Sequence, residues 1–165
     1  MLRERVHRRG GALGNTGGRD ALLPNMGDQY ADIGVIRRLL TESKTWAFVG
    51  LRNNPGRTAY DMAELLQARG KRIVPVHPDA DDVLGESGYT ALAEVPFSVD
   101  VVGVYRRSAY AGAVVDEAIK AGARAVWLPL DVIDEAAVRR AVDAGLDVVM
   151  NRCPAIEWAK LDLPR

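Results

Sequence analysis

A chain of 165 residues, 48% hydrophobic and 27% charged, has the length of one ordinary domain and enough apolar material to bury a core, so a second domain of usual size does not fit. Lys plus Arg and Asp plus Glu number 22 each; with no net charge, no global field draws the protein to nucleic acid or to anionic lipid, and any anion site must be local. The single cysteine, Cys153, excludes an intramolecular disulfide, and no apolar run approaches the roughly 18 residues that span a bilayer; both features suit the cytoplasm.

Residues 1–30 are Arg-rich (Arg3, Arg5, Arg8, Arg9) and then Gly-rich, without apolar periodicity, and read as a disordered tail; residues 31–165 read as the folded body. Ile33, Ile36, Leu39 and Leu40 recur at helical spacing and predict the first helix. The run from Trp46 to Gly50 is short and apolar, as in a strand buried on both faces, and stops at a glycine. Met62, Leu65 and Leu66 mark a second helix ending at Gly70, and Arg72 to His77 a second strand, in which Pro75 calls for an edge or a bulge. Val99 to Tyr105 is a third strand. The helix of Val115, Ala118 and Ile119 stops at Gly122 before a strand at Arg124 to Leu128; that of Val138, Ala141 and Val142 stops at Gly145 before a strand at Leu146 to Met150. Five strands alternating with helices predict an α/β fold, a Rossmann-like, doubly wound, five-stranded parallel sheet with helices on both faces.

In such a sheet ligands bind beyond the carboxyl ends of the strands, which directs attention to the segments starting at Gly50, Val76, Tyr105, Leu128 and Met150. The first of them, from Gly50 and Leu51 through Arg52, Asn54, Pro55 and Arg57 to Thr58, is a strand-to-helix turn with two glycines and two arginines. It suits a phosphate: helix N-terminal N–H groups point outward, and a guanidinium adds a charge-assisted bond. The dinucleotide fingerprint is not there, since the glycines stand at 50 and 56 and the second strand ends His77, Pro78, with Asp79 only afterwards.

Val49-Gly50-Leu51, Asn54-Pro55, Arg57, Val74 to Pro78, Val104 to Ser108, Ala125 to Trp127 and Asn151 to Pro154 together closely resemble the small stand-alone CoA-binding proteins, which look like the CoA-binding domain of the succinyl-CoA synthetase α subunit. The resemblance spans residues 32 to 163. It implies coenzyme A held at the strand ends, with Gly50, Asn54, Pro55 and Arg57 lining the phosphate loop, Val76, His77 and Pro78 near the adenosine, and Arg106 and Arg107 after the third strand beside the phosphates. It departs from the family at Arg52, where many relatives have serine, at His77 in place of asparagine, and at Pro129 and Asp131 in place of glutamine and glycine.

Trp46, Trp127 and Trp158 read as core, and Asp131, Asp134 and Glu135 as acidic residues opening a helix. Cys153 before Pro154 suits a helix N-terminus, where a thiolate is favoured and could pair with a CoA thiol. His7 and His77 with one distant cysteine offer no metal-ligand spacing. The expected function is non-catalytic binding of CoA or an acyl-CoA. The alternative is an enzyme component, either a CoA-ligase subunit working with a separate catalytic chain or an NAD(P)- or nucleotide-sugar-linked enzyme; neither a nucleic-acid nor a membrane partner is expected.

Overall fold

A computed structural model of the chain describes residues 29–165, so the expectation for residues 1–28 lies outside the described residues. Within that range the elements alternate as the sequence pattern requires: α1 (Ile33–Glu42), β1 (Thr45–Val49), α2 (Thr58–Ala68), β2 (Arg72–Val76), a 3₁₀ turn (Leu92–Glu94), β3 (Val101–Val104), α3 (Ser108–Lys120), β4 (Ala125–Trp127), α4 (Glu135–Asp143), β5 (Asp147–Val149) and α5 (Pro154–Lys160). The strands pair in parallel in the order β2-β1-β3-β4-β5. This is the Rossmann-like sheet expected from the alternation.

Alternate residues of each strand point to opposite faces, and each face has its own core. Val49, Val76, Val104, Val126 and Leu128 pack with Val115 and Ala118 of α3 and Val138 and Ala141 of α4. Trp46, Phe48, Ile73 and Trp127 pack with Leu39 and Leu40 of α1, Ala63 and Leu66 of α2 and Trp158 of α5. Two-sided burial is why the strands carry near-continuous apolar runs rather than alternation. Gly70, Gly122 and Gly145, the predicted helix stops, all take the left-handed conformation, with φ of 87°, 75° and 89°.

Three positions refine the sequence reading. Pro75 sits in β2, an edge strand, where its missing N–H costs no inner ladder bond. Tyr30, assigned to the tail, is buried, and its carbonyl accepts the Met150 N–H at 2.8 Å, so the folded body begins at least one residue earlier. Ile33 and Val142, assigned to apolar faces, are 65% and 48% exposed. Ile33 is the first residue of α1, one turn before its buried stripe of Ile36, Leu39 and Leu40.

Trp46 and Trp127 are fully buried with ring centroids 5.5 Å apart. The Trp127 indole N–H donates to the Arg152 carbonyl at 2.8 Å, which fastens the exit of β5 to the sheet. Trp127→Ala removes both the ring and that bond and is expected to cost about 3–5 kcal/mol of stability, measured by urea denaturation.

Candidate functional site

The chain leaves β1 to build β2 on one side, then crosses back to build β3 on the other. The helices that follow these two neighbouring strands cover opposite faces, α2 on the side of Trp46 and α3 on the side of Val49. Their paths diverge at the strand ends, and a crevice opens there. Gly50 lies at its base. With φ of 107°, it approaches β3 so closely that a Cβ would stand 2.1 Å from the Tyr105 carbonyl oxygen. Backbone bonds hold the same point, from Gly50 N–H to the Val76 carbonyl at 2.8 Å and from Tyr105 N–H to the Val49 carbonyl at 2.9 Å.

Two cavities meet over this junction. The larger, about 710 Å³, is lined by the turn after β1 and the start of α2 (Gly50, Arg52, Asn54, Arg57, Thr58, Tyr60, Met62), by Tyr105, Arg106 and Arg107, by residues 129–132, and by Cys153 and Pro154. The smaller, about 360 Å³, is lined by Gly50, His77, Tyr105, Arg106, Arg107 and Tyr110. Gly50, Tyr105, Arg106 and Arg107 belong to both, so the site is one crevice with two lobes and an arginine pair at the neck.

The helix ends around it differ in a way that bears on charge. Asp32 and Asp134 cap α1 and α4, accepting from Val35 N–H and Ala137 N–H, and neither lines the crevice. The N-caps that open on the crevice, Arg57 for α2, Arg107 for α3 and Cys153 for α5, make no side-chain cap bond. The N–H groups of Thr58, Ala59 and Tyr60 at the start of α2 and of Ser108 and Ala109 at the start of α3 are thus left for another acceptor at the positive end of each helix, whereas the Tyr110 N–H donates to the Arg107 carbonyl at 2.8 Å. Among the described residues Arg57, Arg106 and Arg107 form no salt bridge, and Arg106 lies 5.2 Å over the Tyr110 ring. The arrangement suits an elongated anion with a flat aromatic end: Arg106 and Arg107 line both lobes, His77 and Tyr110 line the small lobe alone, and Met62, Leu130, Val132 and Cys153 line the large lobe alone.

Ten of the fourteen site residues read from the sequence line this crevice: Gly50, Arg52, Asn54, Arg57, Thr58, Tyr105, Arg106, Arg107 and Cys153 in the large lobe, and His77 in the small one. Leu51 and Val76 do not, because their side chains are buried in the two cores, and neither do Pro55 and Pro78, which are exposed. Arg52, offered by the sequence together with Arg57 as a charge-assisted donor to a phosphate, lines the large lobe and forms salt bridges to Asp79 at 2.9 Å and Asp81 at 3.4 Å. Asp131 has a left-handed φ of 68°; its N–H donates to Asn151 Oδ1 at 2.8 Å, and Ser108 Oγ donates to its carbonyl at 3.2 Å, which pins the loop after β4 to the starts of α3 and α5.

Tyr60, Met62, Tyr110, Leu130 and Val132 line the lobes but were not singled out in the sequence. Met62 was counted as helix core; it also faces the crevice, with Cys153 Sγ 3.9 Å from its sulfur. Burial pushes the Tyr105 phenol well above its usual range, so it stays neutral, stacked on Phe48 at 5.2 Å.

The CoA binding domain family matches residues 44–159, which include every strand and both lobes. An uncharacterized Bacillus subtilis protein, YneT, is 32% identical over 124 residues, 75% of this chain and 92% of that one. A hypothetical protein from Pyrococcus horikoshii superposes with a TM-score of 0.75 at 32% identity, covering 79% of this chain and 92% of its own. A dinucleotide-forming acetyl-coenzyme A synthetase from Ca. Korarchaeum cryptofilum superposes with a TM-score of 0.57 at 26% identity; 67% of this chain is covered, but only 26% of the synthetase.

Gly50→Ala places a methyl group against the Tyr105 carbonyl and forces a left-handed residue, and is expected to destabilise the fold by at least about 2 kcal/mol, read as a lowered midpoint in thermal unfolding.

Proposed function

Since the chain belongs to the CoA binding domain family, we propose that it binds coenzyme A or an acyl-CoA extended across both lobes of the crevice. The carrying observation is the neck, where Arg106 and Arg107 stand between two cavities of different chemistry. Coenzyme A has the matching sequence of parts: a heteroaromatic base, a diphosphate, and a long weakly polar arm ending in a thiol. The base enters the small lobe beside His77 and Tyr110, where planar faces stack. The diphosphate lies at the neck, within reach of Arg57, Arg106, Arg107 and the N–H groups opening α2. The arm follows the large lobe toward Met62 and Cys153, whose surroundings do not demand charge.

In this reading the protein supplies binding and orientation, as a carrier or sensor of the ligand in the cytoplasm. His77 supports it: Nδ1 accepts the Asp79 N–H at 3.0 Å, so the ring is part of the loop's own hydrogen bonding. The second reading, a subunit that completes a CoA ligase, is favoured by the superposition on one quarter of the acetyl-coenzyme A synthetase. Among the described residues no helix is long and apolar enough to cross a membrane, and no group of three or more His, Cys, Asp or Glu forms a metal cluster.

Calorimetry against CoA, acetyl-CoA, NAD, NADP and ATP separates these ligands. CoA is expected to bind more tightly than either dinucleotide; tighter binding of NAD or NADP rejects the proposal. Arg57→Ala is expected to weaken CoA binding by about 1.5–3 kcal/mol, the usual cost of losing a charged hydrogen bond, whereas an unchanged affinity shows Arg57 to be solvated. Incubating the chain with CoA, ATP and acetate tests the ligase reading, which requires product only when a separate catalytic chain is added.

A further inference from the structure

The order of the strands sets the order of chemistry along the crevice. With the sheet running β2-β1-β3-β4-β5, His77 follows β2, the turn from Gly50 to Arg57 follows β1, Arg106 and Arg107 follow β3, and the large lobe continues over the segments after β4 and β5. Neighbouring strands stand about 4.8 Å apart, so the ends of β3 and β5 are separated by roughly 10 Å. The arm of coenzyme A, with its two amide bonds, spans about as much as three extended residues, again roughly 10 Å. A thiol whose diphosphate lies at the neck therefore reaches the loops that follow β4 and β5. Those segments carry apolar side chains that the fold leaves open. Leu130 lines the large lobe and is 47% exposed; Ile133 on the same loop is 46% exposed, and Ile156 in the first turn of α5 is 44% exposed. The loop is tied so as to hold them there. Asp131 and Asn151 are both left-handed, with φ of 68° and 59°, and are joined by the bond from the Asp131 N–H to Asn151 Oδ1; Ser108 Oγ accepts the Ile133 N–H at 3.0 Å, and the Val132 N–H closes a turn onto the Pro129 carbonyl at 3.1 Å. Of the residues after β4 and β5 that line the lobe, only Asp131 is charged, and its charge is negative.

Resting on the reading that the diphosphate lies at the neck, we propose that the mouth of the large lobe receives a neutral aliphatic acyl group, so that the ligand is an acyl thioester of coenzyme A and Leu130 is a specificity-determining residue for its chain. Free coenzyme A ends at the thiol and leaves Leu130 in water. Each methylene of an acyl chain laid against Leu130 and Val132 is withdrawn from water together with the side chain it covers, which favours the longer chain. A terminal carboxylate on the acyl group resists that desolvation and meets the Asp131 carboxylate, a like charge. The class selected is thus a monocarboxylic acyl chain of several carbons rather than a dicarboxylic one.

The test is calorimetry of the full chain with CoA, acetyl-CoA, butanoyl-CoA, hexanoyl-CoA and succinyl-CoA, for the wild type and Leu130→Asn. Wild-type affinity is expected to rise about twofold per added methylene, the gain of a half-open contact, so that hexanoyl-CoA binds roughly tenfold tighter than acetyl-CoA. Succinyl-CoA is expected to bind more weakly than butanoyl-CoA, which has the same number of carbons with a methyl group in place of the carboxylate. Leu130→Asn is expected to reduce the ratio of hexanoyl-CoA to acetyl-CoA affinity to about threefold or less. Affinity that is flat or falls with chain length, tighter binding of succinyl-CoA than of butanoyl-CoA, or a ratio unchanged in Leu130→Asn overturns the proposal while leaving CoA binding intact. If none of the probes binds the wild type, the reading of the site fails and the proposal fails with it. Circular dichroism checks that the variant is folded, and the wild-type chain-length series tests the proposal without it.

Discussion

The close approach of Gly50 to the Tyr105 carbonyl, which leaves no room for a Cβ, is the constraint on which the remaining geometry rests. It brings the ends of β1 and β3 together at the point where the chain reverses its direction of travel across the sheet, and α2 and α3 then leave on opposite faces. A side chain at position 50 would fill the base of the crevice and separate the strands that form it. The chemistry of the crevice, from the neck arginines to the two helix starts that lack a side-chain cap, is carried on segments that leave the sheet at this contact.

Electrostatics then divides the crevice. The chain has no net charge, yet its strand ends collect arginines that form no salt bridge among the described residues along one wall and an arginine saturated by carboxylates along the other. Helices whose N-termini lie away from the crevice satisfy their own N–H groups with aspartate, whereas those facing it do not. A carboxylate cap at position 57 or 107 would compete with an anionic ligand for the same donors. Met62, Leu130, Val132 and Cys153 line the large lobe and not the small one, so the crevice's aliphatic and sulfur-bearing lining belongs to the large lobe.

Much of this was legible in the sequence because it depends on local rules. Apolar runs ending at glycine gave strands, helices stopping on Gly70, Gly122 and Gly145 gave the alternation, position after a strand directed attention to the turn holding Arg57, Pro154 marked Cys153 as a helix start, and the resemblance to the CoA-binding proteins singled out Tyr105, Arg106 and Arg107. What depends on tertiary approach was not legible. That Leu51 and Val76 turn into the cores while their neighbours face outward follows from the register of β1 and β2. The fate of Arg52 depends on a loop some thirty residues away, and Met62 and Tyr110 enter the site only because α2 and α3 start on either side of one crevice. An apolar residue on a helix face carries no mark in sequence that it lines a cavity as well as a core.

The most direct measurement of the central claim is the map of backbone amide chemical shifts as CoA is added to the isotope-labelled chain. Binding in the switch-point crevice predicts that the largest changes fall at Gly50, Arg57 to Tyr60, Tyr105 to Tyr110 and Cys153, with residues at the opposite end of the sheet, such as Lys71, Asp100 and Arg124, unmoved. Changes concentrated at those latter residues, or spread evenly over the surface, would contradict the account.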